Sequence, residues 1–222
     1  MSMRINKYLA QATGLSRRAA DAAIGEGRVT VNGQTAETGS QVGEGDTITL
    51  DGRPITPAVK SITIMLSKPV GYVVSRAGQG SKTIYDLLPV KYHRLKPIGR
   101  LDKDSSGLLI LTSDGDLANQ LTHPRYAKTK VYEITLDKPL APLPRQMISD
   151  HGVALDDGPS KLQLDRLIDT DDTQWQVTMS EGRNRQIRRT FSALGYTVTN
   201  LHRIQFGSYQ LGSLESGQIK VV

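Results

Sequence analysis

Two carboxylates stand two positions apart in residues 97–112, P-I-G-R-L-D-K-D-S-S-G-L-L-I-L-T: Asp102 and Asp104. A basic cluster, Lys91, His93, Arg94, Lys96 and Arg100, runs directly into Asp102. Neighbouring positive charge favours the ionised form of a carboxyl group. An ionised carboxylate can serve as nucleophile, base or metal ligand. The spacing alone fits a paired-carboxylate site, but fits better a surface turn before a buried strand. A second candidate is Tyr132, on the alternating stretch K-T-K-V-Y-E-I (residues 128–134), a position that by itself suits an ordinary core residue. The third is E-G-R-N-R-Q-I-R-R (residues 181–189), which places Arg183, Arg185, Arg188 and Arg189 within seven residues. Such a group can be an RNA-facing patch. On a helix at about 100° per residue, Ile187, Phe191 and Leu194 share one direction. Arg188 falls at the border of that apolar face, whereas Arg185 and Arg189 point the opposite way. The wheel therefore aims Arg188 inward at a carboxylate and leaves the other arginines for phosphate.

The elements that must position these side chains read as strands alternating with short helices from Ser61 onward. Residues 62–66 form a strand halted by Lys68-Pro69, and residues 83–88 one or two helical turns. Leu108 to Leu111 is a continuous apolar run and thus a central strand. Ser113-Asp114-Gly115-Asp116 turns into a helix through Leu121. Tyr132, Ile134 and Leu136 alternate, as do Trp175, Val177 and Met179, and further strands follow at Val198, Ile204, Phe206 and residues 219–222. This pattern predicts an α+β domain with a mainly antiparallel sheet flanked by helices, over residues 61–222. Residues 150–172 carry seven Asp against Lys161 and Arg166, which predicts a solvated, turn-rich edge.

Residues 1–57 read as a separate small α+β module. Ile5, Tyr8, Leu9 and Ala12 are spaced as one helix face, and Gly14 ends that helix. Ser16 caps a second helix carrying Ala20, Ala23 and Ile24. Val29-Thr30-Val31 followed by Asn32-Gly33 signals a hairpin, and Thr47 to Leu50 alternates up to the Asp51-Gly52 turn. Pro54, Thr56, Pro57 and Ala58 predict an extended linker. Arg4, Lys7, Arg17, Arg18 and Arg28 concentrate on the helix pair, with only Asp21 and Glu26 against them in the first 30 residues.

Composition bounds the chemistry. The chain has 222 residues, 28 Lys and Arg against 22 Asp and Glu (28 − 22 = +6), and no Cys. Disulfide scaffolds, thiol nucleophiles and cysteine zinc sites are excluded. The four His are dispersed at 93, 123, 151 and 202, which argues against a histidine metal cage. No apolar run approaches the roughly 20 residues of a membrane span, and the N-terminus lacks a signal-peptide core. The expectation is a soluble, cytoplasmic, basic protein with a polyanion partner and no membrane. Gly78-Gln79-Gly80 is a lone Gly-x-Gly without a strand–helix context, so no dinucleotide or methyl-donor loop is expected.

Two resemblances sharpen this. R-I-N-K-Y-L-A, L-S-R-R-A-A-D-A-A-I and G-R-V-T-V-N-G resemble, in that order over about residues 3–50, the S-four RNA-binding domain. The resemblance implies that the basic helix pair grips RNA phosphates. G-R-L-D-K-D-S-S-G-L-L, followed by L-T-S-D-G-D-L, resembles the central motif of the pseudouridine synthases. The likeness spans nearly the whole chain and is greatest to the branch with an N-terminal S-four domain that modifies ribosomal RNA. It implies isomerisation of uridine to pseudouridine in RNA, with no cofactor and no metal. It assigns the nucleophile to Asp102. The K-x-Y-x-V strand of the family maps onto Lys130 to Ile134, and Tyr132 then stacks on the flipped target base. The G-R-x-x-Q-[IVL]-R motif makes Ile187 a lining of the uracil pocket and Arg188 the partner of the catalytic carboxylate. Arg100, Arg183, Arg185 and Arg189 are expected to hold the RNA around the site. Ribosomal RNA is the expected partner, large subunit over small, with no obligate protein partner and a monomeric state. The rival expectation is a non-catalytic RNA-binding or ribosome-assembly factor keeping the same fold.

Overall fold

A computed structural model describes residues 2–56 and 61–222. The chain separates into two compact units, Met1–Ile62 and Thr63–Val222.

In the first unit, helix Ile5–Thr13 ends at Gly14, whose φ of 79° supplies the left-handed cap that a β-carbon would disfavour. Helix Arg17–Gly25 starts at Ser16, whose side chain accepts a hydrogen bond from the Ala19 amide at 3.0 Å. Asn32 and Gly33 both have positive φ, 51° and 83°, the geometry of a tight primed turn. They join Val29–Val31 to Gln34–Thr35 in a four-stranded sheet completed by Ile48–Leu50 and Arg53–Ile55. Ile5, Leu9, Ala20, Ile24, Val29 and Ile48 bury the two helices against that sheet. Pro54 lies in the Arg53–Ile55 strand rather than in a linker. It is tolerated because that strand is an edge, where a missing backbone N–H breaks no ladder. Pro57 and Ala58 fall outside the described residues.

The second unit is built on a nine-stranded sheet. Along its main path the order is Gln163–Arg166, Gln174–Met179, Lys130–Leu136, Val198–Phe206, Ser106–Thr112, Thr63–Lys68 and Ile219–Val221. Every pairing is antiparallel except that of Val198–Phe206 with Ser106–Thr112. The apolar run at Leu108 to Leu111 is central and fully buried. Gly107 is required where the parallel pair meets: its φ is 100°, and a β-carbon there would lie 2.3 Å from the Arg203 carbonyl oxygen. Asp114 caps helix Gly115–Thr122 through the Asp116 and Leu117 amides. The Thr83–Asp86 capping box starts the single 3-10 turn Ile84–Leu87.

Candidate active site

The site is assembled on three strand ends and one short helix. Strands Lys130–Leu136 and Val198–Phe206 pair Lys130 with Phe206 and Tyr132 with Arg203, and a register shift between these pairs leaves Ile204 as an extra residue. That bulge lets Arg203 and Phe206, three apart, face the same side as Lys130 and Tyr132. A cavity of about 750 Å³ opens on this face. Of the residues the sequence singled out, Arg100, Asp102, Tyr132, Arg183, Arg185 and Ile187 all line it. Tyr132 and Ile187 are buried, and Arg100 is exposed.

Asp102 sits in the loop entering the Ser106–Thr112 strand. Lys68 anchors that loop from beneath. Its side chain is fully buried, and Nζ donates to the carbonyls of Asp102 (3.1 Å), Ser105 (2.7 Å) and Pro69 (3.0 Å). Burial pushes the Lys68 amine down to about 8, against the opposing pull of the Asp102 and Asp104 carboxylates. The Gly71 amide adds a bond to the Lys103 carbonyl at 2.7 Å, so the Lys-Pro-x-Gly turn and the Asp loop are held together. The sequence marked Lys68 only as part of the Lys68-Pro69 stop of a strand.

The arginines are placed differently from the helical-wheel expectation. The helix starts at Gln186, and Arg185 precedes it with φ 46°, in the left-handed region. The 100° periodicity therefore does not extend to Arg185. Its guanidinium turns toward the carboxylates instead of away. Nη1 and Nη2 donate to the two oxygens of Asp104 at 3.0 Å each, and Nη1 lies 3.5 Å from Asp102 Oδ2. Arg188 does reach inward, but its carboxylate partner is Asp104 rather than Asp102. Nε lies 3.4 Å from Asp104 Oδ2, Nη2 donates to the Asp104 carbonyl at 2.8 Å, and Nη1 donates to the Val198 carbonyl. Hydrogen bonds from Arg185, reinforced by the charge of Arg188, hold the Asp104 carboxyl below the usual carboxylate range.

Arg183 and Arg189, expected to face phosphate, both close on Asp157. Arg189 does so through two nitrogens at 3.1 and 2.7 Å. Arg183 does so at 2.8 Å, with further bonds to the Gly158 and Pro159 carbonyls. The acidic 150–172 segment is thus not merely a solvated edge: Asp157 fixes the arginine-rich turn. Beneath it, buried Ser160 receives bonds from Gln186 and Thr190, a long-range anchor with no local pattern to reveal it.

In the first unit, Arg4 and Arg18 are exposed, Lys7 is half-buried, and Arg17 donates to Asn6 Oδ1 at 3.1 Å. Arg28 is committed to Asp51 through two bonds of 2.7 Å and to Glu26 at 3.1 Å. Among the described residues, no helix is long and apolar enough to cross a membrane.

A buried Tyr, an aliphatic Ile and a carboxylate backed by arginines converge on one cavity. Residues 62–193 match the RNA pseudouridylate synthase family, and residues 3–48 match the S4 domain. The chain belongs to the RNA pseudouridylate synthase family. It is 38% identical to an uncharacterized RNA pseudouridine synthase of Aquifex aeolicus, over 98% of this chain and 89% of that protein. It is 39% identical to the ribosomal large subunit pseudouridine synthase B of Xanthomonas campestris, covering 94% of this chain but 44% of that longer protein. It is 36% identical to the ribosomal small subunit pseudouridine synthase A of Pasteurella multocida, over 94% of this chain and 90% of that one. A crystal structure of a pseudouridylate synthase superposes with a TM-score of 0.70 at 33% identity, covering 99% of this chain and 96% of the other.

Proposed function

We propose that this protein isomerises a specific uridine of ribosomal RNA to pseudouridine. The observation that carries the reading is the convergence of Asp102, Tyr132 and Ile187 on one cavity. Residues 1–57 act as the RNA grip, and residues 61–222 flip and isomerise the base. Asp102 is the nucleophile or the group that assists C1′ chemistry. The buried Tyr132 ring replaces stacking lost by the flipped uracil, and Ile187 packs on its edge. Arg188 positions the Asp loop by holding Asp104, and Arg185 bridges both carboxylates. Arg100, exposed at the rim, contacts the RNA backbone or the vacated base position, with Arg183 and Arg189 shaping the wall beside it. The reaction needs only bond exchange within one nucleotide, so no cofactor is invoked. The large-subunit RNA is the favoured substrate, because G-R-L-D-K-D-S and G-R-N-R-Q-I-R-R look closer to the members that modify it than to the small-subunit ones. We place the activity in the cytoplasm and in a monomer.

The test is tritium release from ribosomal RNA labelled at carbon-5 of uridine, with pseudouridine mapped in both subunits' RNA from cells with and without the protein. Site-specific pseudouridine that depends on the protein supports the reading. RNA binding without tritium release identifies a non-catalytic assembly factor instead.

A further inference from the structure

Arg203 is the charged side chain that neither the sequence motifs nor the roles above account for. Its side chain is 2% exposed, yet it lines the same cavity as Asp102 and Tyr132. Nε donates to the Leu108 carbonyl at 2.8 Å, which bolts the strand to its parallel neighbour. The rest of the guanidinium is not used that way. Nη2 is buried with no hydrogen-bond partner, and among the described residues no carboxylate lies within ion-pair distance of Arg203. Its guanidinium carbon lies 5.0 Å from the centre of the Phe206 ring and 6.0 Å from that of Tyr132. A second cation, Lys130, stands on the same face, and burial together with the charge of Arg203 lowers its affinity for a proton. A buried cation with aromatic rings but no carboxylate beside it, and with an idle donor, is costly. A protein that keeps one in a cavity wall has a use for positive charge there.

The chemistry of the proposed reaction supplies that use. When the N1–C1′ bond breaks, its electron pair stays on the base. Uracil leaves as an anion with charge shared among N1, O2 and O4, and C1′ becomes the electrophile. The ring turns, C5 attacks C1′, C5 loses its proton and N1 gains one, so atoms and electrons balance without an external reagent. We propose that Arg203 is a further catalytic residue, whose guanidinium stabilises the detached uracil anion through a carbonyl oxygen while the base turns over. The inference rests on the pseudouridine synthase reading. The Tyr132 ring and Arg203, direct cross-strand partners, then hold the two aspects of the base: its π-face and its developing charge.

The experiment is single-turnover kinetics with full-length protein on RNA carrying either uridine or 5-fluorouridine at the target, reading disappearance of the nucleoside. Fluorine withdraws electrons and makes the departing base a weaker base, so it needs less help to leave. Arg203→Gln should slow the uridine reaction by about 100-fold, the scale of losing one oxyanion donor. RNA affinity should change little, and the loss on 5-fluorouridine should be at least several-fold smaller. Arg203→Lys, which keeps the charge but not the planar donor, should lose less and show the same narrowing. It carries the comparison if the Gln variant does not fold. Equal losses on the two substrates, or a loss confined to RNA affinity, would overturn the proposal. A wild-type protein that converts neither nucleoside points instead to failure of the underlying reading.

Discussion

Arg185 grips Asp104 with both terminal nitrogens at 3.0 Å and only grazes Asp102 at 3.5 Å. The two carboxylates are thereby given different tasks. Asp104 is neutralised by two arginines, whereas Asp102, touched only by Arg185 at 3.5 Å, lines the cavity. Asp102→Asn should abolish turnover while RNA binding persists, because charge and nucleophilicity go but shape stays. Asp104→Asn should lower kcat by about 10- to 100-fold, equivalent to about 1.4 to 2.7 kcal/mol of transition-state stabilisation, through displaced arginines. Single-turnover rates on ribosomal RNA separate the two; an inactive Asp104→Asn that folds and binds RNA beside an active Asp102→Asn would reverse the assignment.

The coupling of Arg188 follows the same geometry. Its ionic partner is Asp104, so Arg188→Met and Asp104→Asn should be strongly non-additive, with an interaction energy of about 0.5–3 kcal/mol. Arg188→Met alone leaves the Val198 and Asp104 carbonyls without their donor and should slow turnover severely. A double-mutant cycle of kcat/KM for this pair checks the claim, and strict additivity is the outcome that defeats it.

The elements themselves were legible because they rest on local rules. Alternation at Tyr132-Ile134-Leu136 and at Trp175-Val177-Met179 is copied directly in burial. Ser16, Asp114 and Asn32-Gly33 perform the caps and turn their types favour. What failed was non-local. A helical wheel cannot know that Arg185 precedes the first helical turn with φ 46°. Nor can it know that Asp157, twenty-six residues before Arg183, will take both Arg183 and Arg189. Arg203 was invisible for the opposite reason: its significance lies in a partner that is missing, which only the folded packing reveals.

Lys68 links stability to pH with a definite sign. Its folded amine releases a proton near about 8, whereas the ordinary value is 10.5. Between these values the unfolded chain holds more protons, so stability rises with pH through that window. Lys68→Met removes this dependence and takes the Lys68 donor from the Pro69 and Ser105 carbonyls, each costing about 1–3 kcal/mol when buried and unpaired, while the Asp102 carbonyl keeps the Ser105 amide. The variant should therefore be destabilised at pH 7, and wild type should gain on it from pH 8 to 10.5, by no more than about 3 kcal/mol at 1.36 kcal/mol per pH unit. Denaturant titrations at pH 7, 8.5 and 10 supply the readout. A difference between the two proteins that stays constant or shrinks over that range contradicts the assignment.

Gly107→Ala tests the parallel seam. A β-carbon 2.3 Å from the Arg203 carbonyl oxygen cannot be absorbed by side-chain rotation, because the obstacle is backbone. The strand must shift, taking Arg203 and the Asp102 loop with it. A loss of several kcal/mol, of the kind expected for strain at a special backbone site, should lower Tm clearly and abolish activity. A wild-type melting curve would show that the two strands can separate without cost.

The last prediction concerns which N-terminal cations meet RNA. Arg28 is held by Asp51 and Glu26 through two bonds of 2.7 Å and one of 3.1 Å, so its charge is already offset and its side chain fixed before any phosphate arrives. Arg4 and Arg18 are exposed and carry no ion pair among the described residues. Each phosphate contact releases counterions and contributes about 0.7 to 0.9 to the slope of log affinity against log salt. In the full-length protein, Arg4→Ala with Arg18→Ala should therefore reduce that slope by up to about 2. Arg28→Ala should leave the slope near the wild-type value and instead weaken the turn that Asp51 closes. Affinity for ribosomal RNA fragments measured at several salt concentrations decides between them. A slope that falls for Arg28→Ala and not for the Arg4 and Arg18 pair would mean that RNA binding breaks the Arg28–Asp51 bond and uses the liberated guanidinium.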